Sequence, residues 1–214
     1  MKVFRKCTSI FLAGILTFSL TGCSSGNELG EVGIATGFFL DVSPVKNHYT
    51  LLCEVADFSG YEKSSNLSTK LIKAQGNTIE EALQTLHARS EKELCFSHAK
   101  VMLLGDGFQT VPLKNTITHL LNQPDIKSDI ALCMASEEIL KQEKDSAQSV
   151  FEPLFQLIER TLPRKEWMLY TYCQKENFSL PIITKNENAY SIQQAAKFTH
   201  YQYQTSIFYT GNQL

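Results

Sequence analysis

Apolar residues in short runs predict three β-strands in the first third of the chain. Residues 31–41 and 49–58 form two such runs on either side of the turn residues Ser43 and Pro44, which is typical of a β-hairpin. The apolar pattern resumes at residues 70–75, after a polar stretch. These positions predict a hairpin followed by a third strand.

The middle of the chain alternates amphipathic helices with fully apolar strands. Residues 78–92 carry apolar residues at helical spacing, and Thr78 and Glu81 form a capping box that satisfies free backbone N–H groups at the helix start. The next elements are predicted, in chain order, as a buried strand at 101–104, a helix at 113–121, a buried strand at 130–134 and a short helix at 137–141. This order predicts the α/β (α+β) class, with helices packed on a mixed β-sheet.

The pattern is less regular in the last third of the chain. A polar linker at 142–148 precedes an apolar helical stripe at 150–158, and residues 167–173 fit a helix or a strand, of which we favour the helix. The last segment, from Tyr201 to Tyr209, alternates with period two, which predicts a strand without evident partners. We therefore expect a helical and β extension in this region.

These patterns predict two parts of unequal stability. Residues 31–141 supply helices and strands that can cover one another, whereas residues 142–214 supply few partners for their strand. We expect truncation after Pro181 to leave the melting of the first part nearly unchanged. The second part also contains four tyrosines that we do not expect it to bury. Exposed tyrosines of this kind indicate either an interface with another protein or a poorly ordered tail. They are Tyr190, Tyr201, Tyr203 and Tyr209.

The N-terminus is typical of a bacterial lipoprotein. Basic residues precede an apolar stretch at 9–20 that is too short to span a bilayer, and the following Leu20-Thr21-Gly22-Cys23 has the pattern of a lipobox. We therefore predict a signal peptide at 1–22, a lipidated Cys23 and a short tether at 23–30. Two acyl chains on Cys23 would anchor the protein stably to a membrane. The alternative is an ordinary secretory signal in which Cys23 is incidental.

Charge and cysteine content narrow the classes of function. Without residues 1–23 the chain carries 17 Lys and Arg against 22 Asp and Glu, a formal charge of −5, which argues against nucleic-acid binding and against a polybasic lipid-binding surface. Besides Cys7 and Cys23 there are four cysteines, which we interpret as small buried residues. A disulfide among them is left open, because four cysteines allow three sets of pairings. They are Cys53, Cys95, Cys133 and Cys173.

No catalytic or metal-binding pattern in the sequence is convincing. Cys95 and His98 could form a nucleophile and base, but we favour packing for Cys95 and a structural role for His98. The other histidines lack the spacing of a zinc site. We interpret Gly105-Asp106-Gly107 as a strand-ending turn, and Asp41 and Glu54 as solvated residues at strand ends rather than a pair of carboxylates. The prediction is therefore no catalytic residue, no cofactor and no metal.

Several segments between residues 20 and 141 occur in an order typical of one protein family. They are, in chain order, the lipobox, Asn27-Glu28-Leu29, Gly37-Phe38-Phe39-Leu40-Asp41, Ala74-Gln75-Gly76-Asn77-Thr78 with Glu80-Glu81-Ala82-Leu83, Cys95-Phe96-Ser97-His98-Ala99-Lys100-Val101, Pro124-Asp125-Ile126-Lys127 and Ser136-Glu137-Glu138-Ile139-Leu140. Together they resemble the N-terminal domain of the C-subunit lipoproteins of spore germinant receptors. Family members often carry Trp-Asp directly after the lipidated cysteine, where this chain has Ser24-Ser25.

The resemblance implies a function as well as a fold. It implies a non-enzymatic, lipid-anchored subunit of a nutrient germinant receptor that acts in spore germination, on the outer face of the inner (cell or spore) membrane. The implied partners are the integral membrane A and B subunits, and residues 142–214 would be a partial middle segment of the family, which continues into a large C-terminal domain. A free-standing extracytoplasmic lipoprotein that binds a small solute is the alternative, and a Cys95-dependent enzyme is a third hypothesis.

Overall fold

The structure is a computed structural model that describes residues 32–45, 48–57, 68–141, 149–186 and 189–208. Its strands are β1 (Val32–Ser43), β2 (His48–Asp57), β3 (Ser68–Gly76), β4 (Glu93–Cys95), β5 (Val101–Leu104), β6 (Ala131–Ala135), β7 (Asn177–Asn186), β8 (Ala189–Thr199) and β9 (Gln202–Phe208). Its helices are α1 (Ile79–Arg89), α2 (Lys114–Leu121), α3 (Glu138–Lys141), α4 (Phe151–Thr161) and α5 (Leu169–Cys173), with 3₁₀ turns at Asp106–Gln109 and Arg164–Glu166.

All the described strands belong to a single mixed sheet. Its order is β3-β2-β1-β5-β6-β7-β8-β9, and β4 pairs with the start of β1. The central strands β1, β5, β6 and β7 are parallel, and each side of this centre ends in antiparallel strands, β2 and β3 on one side and β8 and β9 on the other. The predicted fold class, a mixed sheet with helices packed on it, is confirmed.

The sheet separates two apolar cores. Phe38 and Leu40 of β1 pack in the core under α1, α2 and α5, which we call the first face, whereas Phe39 packs in the core under α3 and α4, the second face. Every residue of β5 and β6 is buried, as the uninterrupted apolar runs predicted, because helices cover both faces.

Local signals for the first helix are confirmed at the level of individual atoms. The Glu81 backbone N donates to Thr78 Oγ1 at 3.1 Å, and the Glu81 carboxylate accepts from the Asn77 backbone N at 2.8 Å. The helix ends at Arg89, earlier than expected. Residues 169–173 form a helix, which agrees with the helix favoured for residues 167–173.

The prediction that the C-terminal strand lacks partners is wrong. β7 pairs with β6 through Met134↔Ile182 and Ala135↔Ile183, β8 pairs with β7, and β9 pairs with β8. The sequence pattern missed β7 because Pro181 is normally a strand breaker, and it missed β8 because a bulge at Gln193 interrupts the alternation of that strand. The sheet therefore crosses the boundary expected at residue 141, and independent folding of residues 31–141 stays a prediction.

The tail tyrosines within the described residues are not exposed. Tyr201 and Tyr203 pack against the core of the first face, and Tyr190 packs against that of the second. The Tyr201 hydroxyl lies 3.0 Å from the Cys173 carbonyl oxygen and 3.3 Å from that of Tyr172. The expectation of exposed aromatics is therefore wrong for these residues, because β8 and α5 supply the partners; Tyr209 lies outside the described residues.

Candidate functional site

Glu54, expected at a solvated strand end, is fully buried on the second face of the sheet, with 0% exposure. Its carboxylate accepts hydrogen bonds from the Thr36 hydroxyl, from Ser149 Oγ at 2.6 Å and from the Val150 backbone N at 2.6 Å. The interpretation of Glu54 as a solvated residue is wrong because β2 carries its side chain inward, directly beneath the start of α4. The carboxylate therefore ties three segments of the chain together.

The local structure around Glu54 follows from a bulge and a glycine. The pairing of β1 with β2 shifts register between Ala35 and Gly37, which leaves Thr36 as the extra residue beside Glu54. A Cβ atom on Gly37 would lie 2.4 Å from the ring of Phe151, so only glycine lets α4 approach β1 this closely. The predicted motif around Gly37 is thus a helix-packing site.

The N-terminus of α4 explains why a carboxylate is stable in this core. The first N–H groups of a helix lack partners within the helix and carry partial positive charge, which favours an anionic acceptor. Ser149 completes the arrangement, because its hydroxyl donates to Glu54 and accepts from the Glu152 backbone N at 3.1 Å. With its donors supplied by the protein, Glu54 is arranged to hold α4 in place.

Asp41 holds the turn that follows β5. Asp41 Oδ1 accepts from the Val42 backbone N at 2.8 Å and from the Gly107 backbone N at 2.9 Å, and a Cβ on Gly107 would lie 1.7 Å from the Val42 carbonyl oxygen. Burial raises the pKa of Asp41 above its ordinary value; these hydrogen bonds oppose the increase, and the neighbouring charges of Asp106 and Glu137 add to it. The Gly105-Asp106-Gly107 motif is a turn at a strand end, as interpreted.

Asp41 and Glu54 are not a catalytic pair. Glu54 lies opposite Gly37 in the β1–β2 register, whereas Asp41 lies opposite Thr50. The four residues of strand between these positions correspond to about 13 Å at ~3.3 Å per residue. Each carboxylate instead has its own set of donors.

The cysteines do not form an evident reactive centre. Cys95 Sγ lies 3.0 Å from Ser97 Oγ, His98 is exposed, and no hydrogen bond joins Cys95 to His98 among the described residues. Cys53 and Cys133 are buried as predicted, and burial raises the pKa of both thiols. Cys173 is partly buried, and all four of these cysteines are free. Over the described ranges, no group of three or more His, Cys, Asp or Glu side chains could hold a metal ion.

A cleft of about 220 Å³ lies between α1 and the loop after α2. It is lined by Glu80, Leu83, Gln84, His87, Phe96, Gln123, Asp125 and Ile126. At its rim, Glu80 Oε1 lies 3.3 Å from His119 Nδ1, and His119 Nε2 lies 3.1 Å from Gln123 Nε2. The lining contains two carboxylates and no Lys or Arg, which favours a cation over an anion. Sequence analysis missed the cleft because its two walls are distant along the chain.

A family model described as Spore germination protein N-terminal domain matches residues 25–185. The chain belongs to this family. The match confirms the resemblance found in the sequence, and it continues past residue 141 into β7 of the germination protein domain. Neither the curated proteins nor the solved structures contain a match to the chain.

Cys23 and the predicted signal peptide at 1–22 lie outside the described residues and just ahead of the family match. Within the part of the chain that the structure describes, no helix is long and apolar enough to cross a membrane.

Proposed function

We propose that this spore germination protein domain acts as a lipid-anchored, non-catalytic subunit of a nutrient germinant receptor complex. Its place would be the outer face of the inner (cell or spore) membrane, beside the integral membrane A and B subunits. The observation that carries the proposal is the family match over residues 25–185, which begins two residues after the lipobox cysteine, Cys23. A role in germination follows from the family itself.

The sequence around Cys23 supports attachment by lipid rather than by a protein surface. A diacylglycerol group on Cys23 supplies two acyl chains, which is enough for stable anchoring. The formal charge of −5 without residues 1–23 gives little attraction to anionic headgroups. The anchor would therefore be the main contact with the bilayer.

The hydrogen bonds of the candidate catalytic groups support a non-catalytic role. Glu54 and Asp41 accept from backbone N–H groups and hydroxyls of their own fold, and Cys95 contacts Ser97. Groups occupied in this way position helices and turns. The contribution of the domain to the receptor would then be its surface.

Replacement of Cys23 tests the anchor directly. We expect the wild-type chain to incorporate labelled fatty acid and to enter the detergent phase on phase separation, whereas Cys23→Ala should incorporate none and should accumulate as uncleaved precursor or in the aqueous phase. Cys95→Ala is the matched control and should behave as wild type. Normal processing and acylation of Cys23→Ala would contradict the anchor.

The receptor context is tested by the partners. The A and B subunits should copurify with an affinity-tagged copy of the chain from detergent-solubilised spore membranes, and their genes are expected beside the gene for this chain. Recovery of the tagged chain without either subunit, in spores that contain both, would contradict the assembly.

A second candidate function, binding of a small solute, is supported by the cleft beside α1. Its carboxylates (Glu80 and Asp125) and its apolar Leu83 and Ile126 suit a small amine with a short hydrocarbon chain. NMR titration with n-butylammonium should shift cleft resonances in this case, and butyrate, the matched anion, should not. Equal shifts with both probes, or none with either, would exclude this function.

A further inference from the structure

The two edges of the sheet differ in their protection against strand pairing. The β3 edge carries Lys70 and Lys73, and α1 packs beside it. The β9 edge, Gln202–Phe208, carries no charged residue and no proline, and among the described strands it pairs only with β8. Natural sheets protect free edges with lysine, proline or covering segments; among the described residues β9 has no lysine, no proline and no strand beyond it, which leaves its edge available to another strand.

A bulge determines which side chains of β9 share a face. Tyr203 pairs with Phe198 and Thr205 pairs with Lys197, so Gln204 is the extra residue. After the bulge, Ser206 and Phe208 lie on the first face, while Thr205 and Ile207 lie on the second. Phe208 is 69% exposed, which is unusual for so large an apolar side chain.

We propose that two copies of this chain pair through β9, antiparallel, about a two-fold axis at Ser206. A two-fold axis perpendicular to the sheet keeps every side chain on its own face, so only residues of the same face lie opposite each other. With Ser206 opposite its own copy, Ile207 lies opposite Thr205 and Phe208 lies opposite Gln204. This register pairs β-branched residues twice and covers the exposed phenylalanine.

Charge explains why the partner is a second copy at this edge and not at the other. Because β9 has no charged residue, its pairing with itself brings no like charges together in any register. Pairing of β3 with itself brings Lys70 and Lys73 close to the same lysines of the other copy, which is unfavourable. The self-complementary edge is therefore β9.

The size of the β9–β9 contact determines how strongly the two copies bind, and its symmetry determines where their N-termini lie. A single strand of seven residues buries less than the ~1,200 Å² or more of a stable interface, so we expect a reversible dimer that forms at high concentration. The two-fold axis reverses strand direction, so β1 of the two copies begins at opposite ends of the joined sheet. Both proposed anchors would then reach one membrane with the sheet lying along it, but the pairing does not depend on the anchor.

A cysteine at the axis tests the pairing. Cβ atoms of directly opposite residues lie ~4.5 to 5.5 Å apart, close to the distance that a disulfide bridges. The Ser206→Cys variant of the whole chain is oxidised with copper phenanthroline in detergent micelles. It should form a disulfide-linked dimer that a reducing agent separates into monomers. Wild type controls for the native cysteines, and Ser68→Cys on the β3 edge is the matched variant; both should stay monomeric. Equal cross-linking of Ser68→Cys and Ser206→Cys would overturn the proposal.

Sedimentation of the uncross-linked chain supplies the second measurement. Wild type should dimerise reversibly as its concentration rises, and Ser206→Lys should weaken the dimer at least tenfold because two ammonium groups then face each other. Ser68→Lys should leave the dimer unchanged, and circular dichroism should show that both variants fold. A wild-type chain that stays monomeric at several hundred micromolar, or a Ser206→Lys dimer as tight as wild type, would refute the pairing whether or not Cys23 carries a lipid.

Discussion

Removal of the Glu54 carboxylate should loosen α4 from the sheet. Glu54→Ala leaves the Val150 backbone N–H without its acceptor at a buried helix start, which costs ~1 to 3 kcal/mol. The hydroxyls lose less, because Thr36 Oγ1 also lies 3.4 Å from the residue 54 carbonyl oxygen and Ser149 still accepts from Glu152. The lost Cγ methylene adds ~0.8 kcal/mol of lost burial. The free energy of unfolding should therefore fall by about 3 kcal/mol.

The conservative variant separates the hydrogen bond from the packing. Glu54→Gln keeps the shape and an amide oxygen for Val150 N, while the two hydroxyls can turn to accept from the amide, so we expect a loss of about 1 kcal/mol. Glu159→Ala, an exposed position on the same helix, should change stability by less than ~0.5 kcal/mol.

Urea unfolding followed by circular dichroism measures these differences. For a chain of this size, 3 kcal/mol corresponds to a fall of about 6 to 12 °C in melting temperature. The midpoint should shift with an unchanged m value, because the variant changes stability and not the surface exposed on unfolding. If Glu54→Ala and Glu54→Gln both cost less than ~0.5 kcal/mol, Glu54 does not fix α4 and the reasoning is wrong.

Three further predictions concern the carboxyl group of Asp41, the C-terminal strands, and the turn between β8 and β9. Because burial raises the pKa of Asp41 in the folded state, its stabilising contribution is present below the unfolded pKa of ~3.9 and is lost as pH rises through the folded value. Asp41→Asn should therefore gain stability relative to wild type as pH rises from about 4, measured as the difference between two urea midpoints; a constant difference would contradict this. Truncation after residue 176 removes Leu180 and Phe198 from the core, each worth ~1.5 to 3 kcal/mol, so calorimetry should show loss of the cooperative transition. An unchanged transition would instead support the independent folding of residues 31–141 that the sequence predicts. His200 has a φ of 47°, which is in the left-handed region that asparagine adopts more readily than β-branched residues. His200→Asn should therefore raise the free energy of unfolding by ~0.5 to 1 kcal/mol, and His200→Val should lower it. The opposite order of melting temperatures would refute the assigned turn.

Sequence alone predicted those elements whose signals are local. The capping box of Thr78 and Glu81 and the apolar runs of β5 and β6 each depend on residues within a few positions of one another. The β1–β2 hairpin is also local, since its turn residues stand between the two strands. Such features need no knowledge of the rest of the fold.

Features that depend on distant partners were missed. Glu54 meets Ser149 and Val150 across 95 and 96 positions of the chain, so its burial could not be inferred from β2 alone. In the same way β7 owes its place to β6, and Pro181 in β7 and the bulge at Gln193 in β8 conceal the patterns that would have indicated these two strands. The order of motifs identified the family because it integrates weak local signals over a long span.

Nutrient-triggered germination of spores tests the central claim most directly. A strain that lacks the gene for this chain and its paralogues should germinate poorly on the nutrients that its receptor serves. A copy with Cys95→Ala should restore germination to the wild-type rate, and a copy with Cys23→Ala should not, because an unanchored subunit cannot stay with the receptor at the membrane. Normal germination of the deletion strain on every nutrient, or full rescue by Cys23→Ala, would contradict a lipid-anchored receptor subunit.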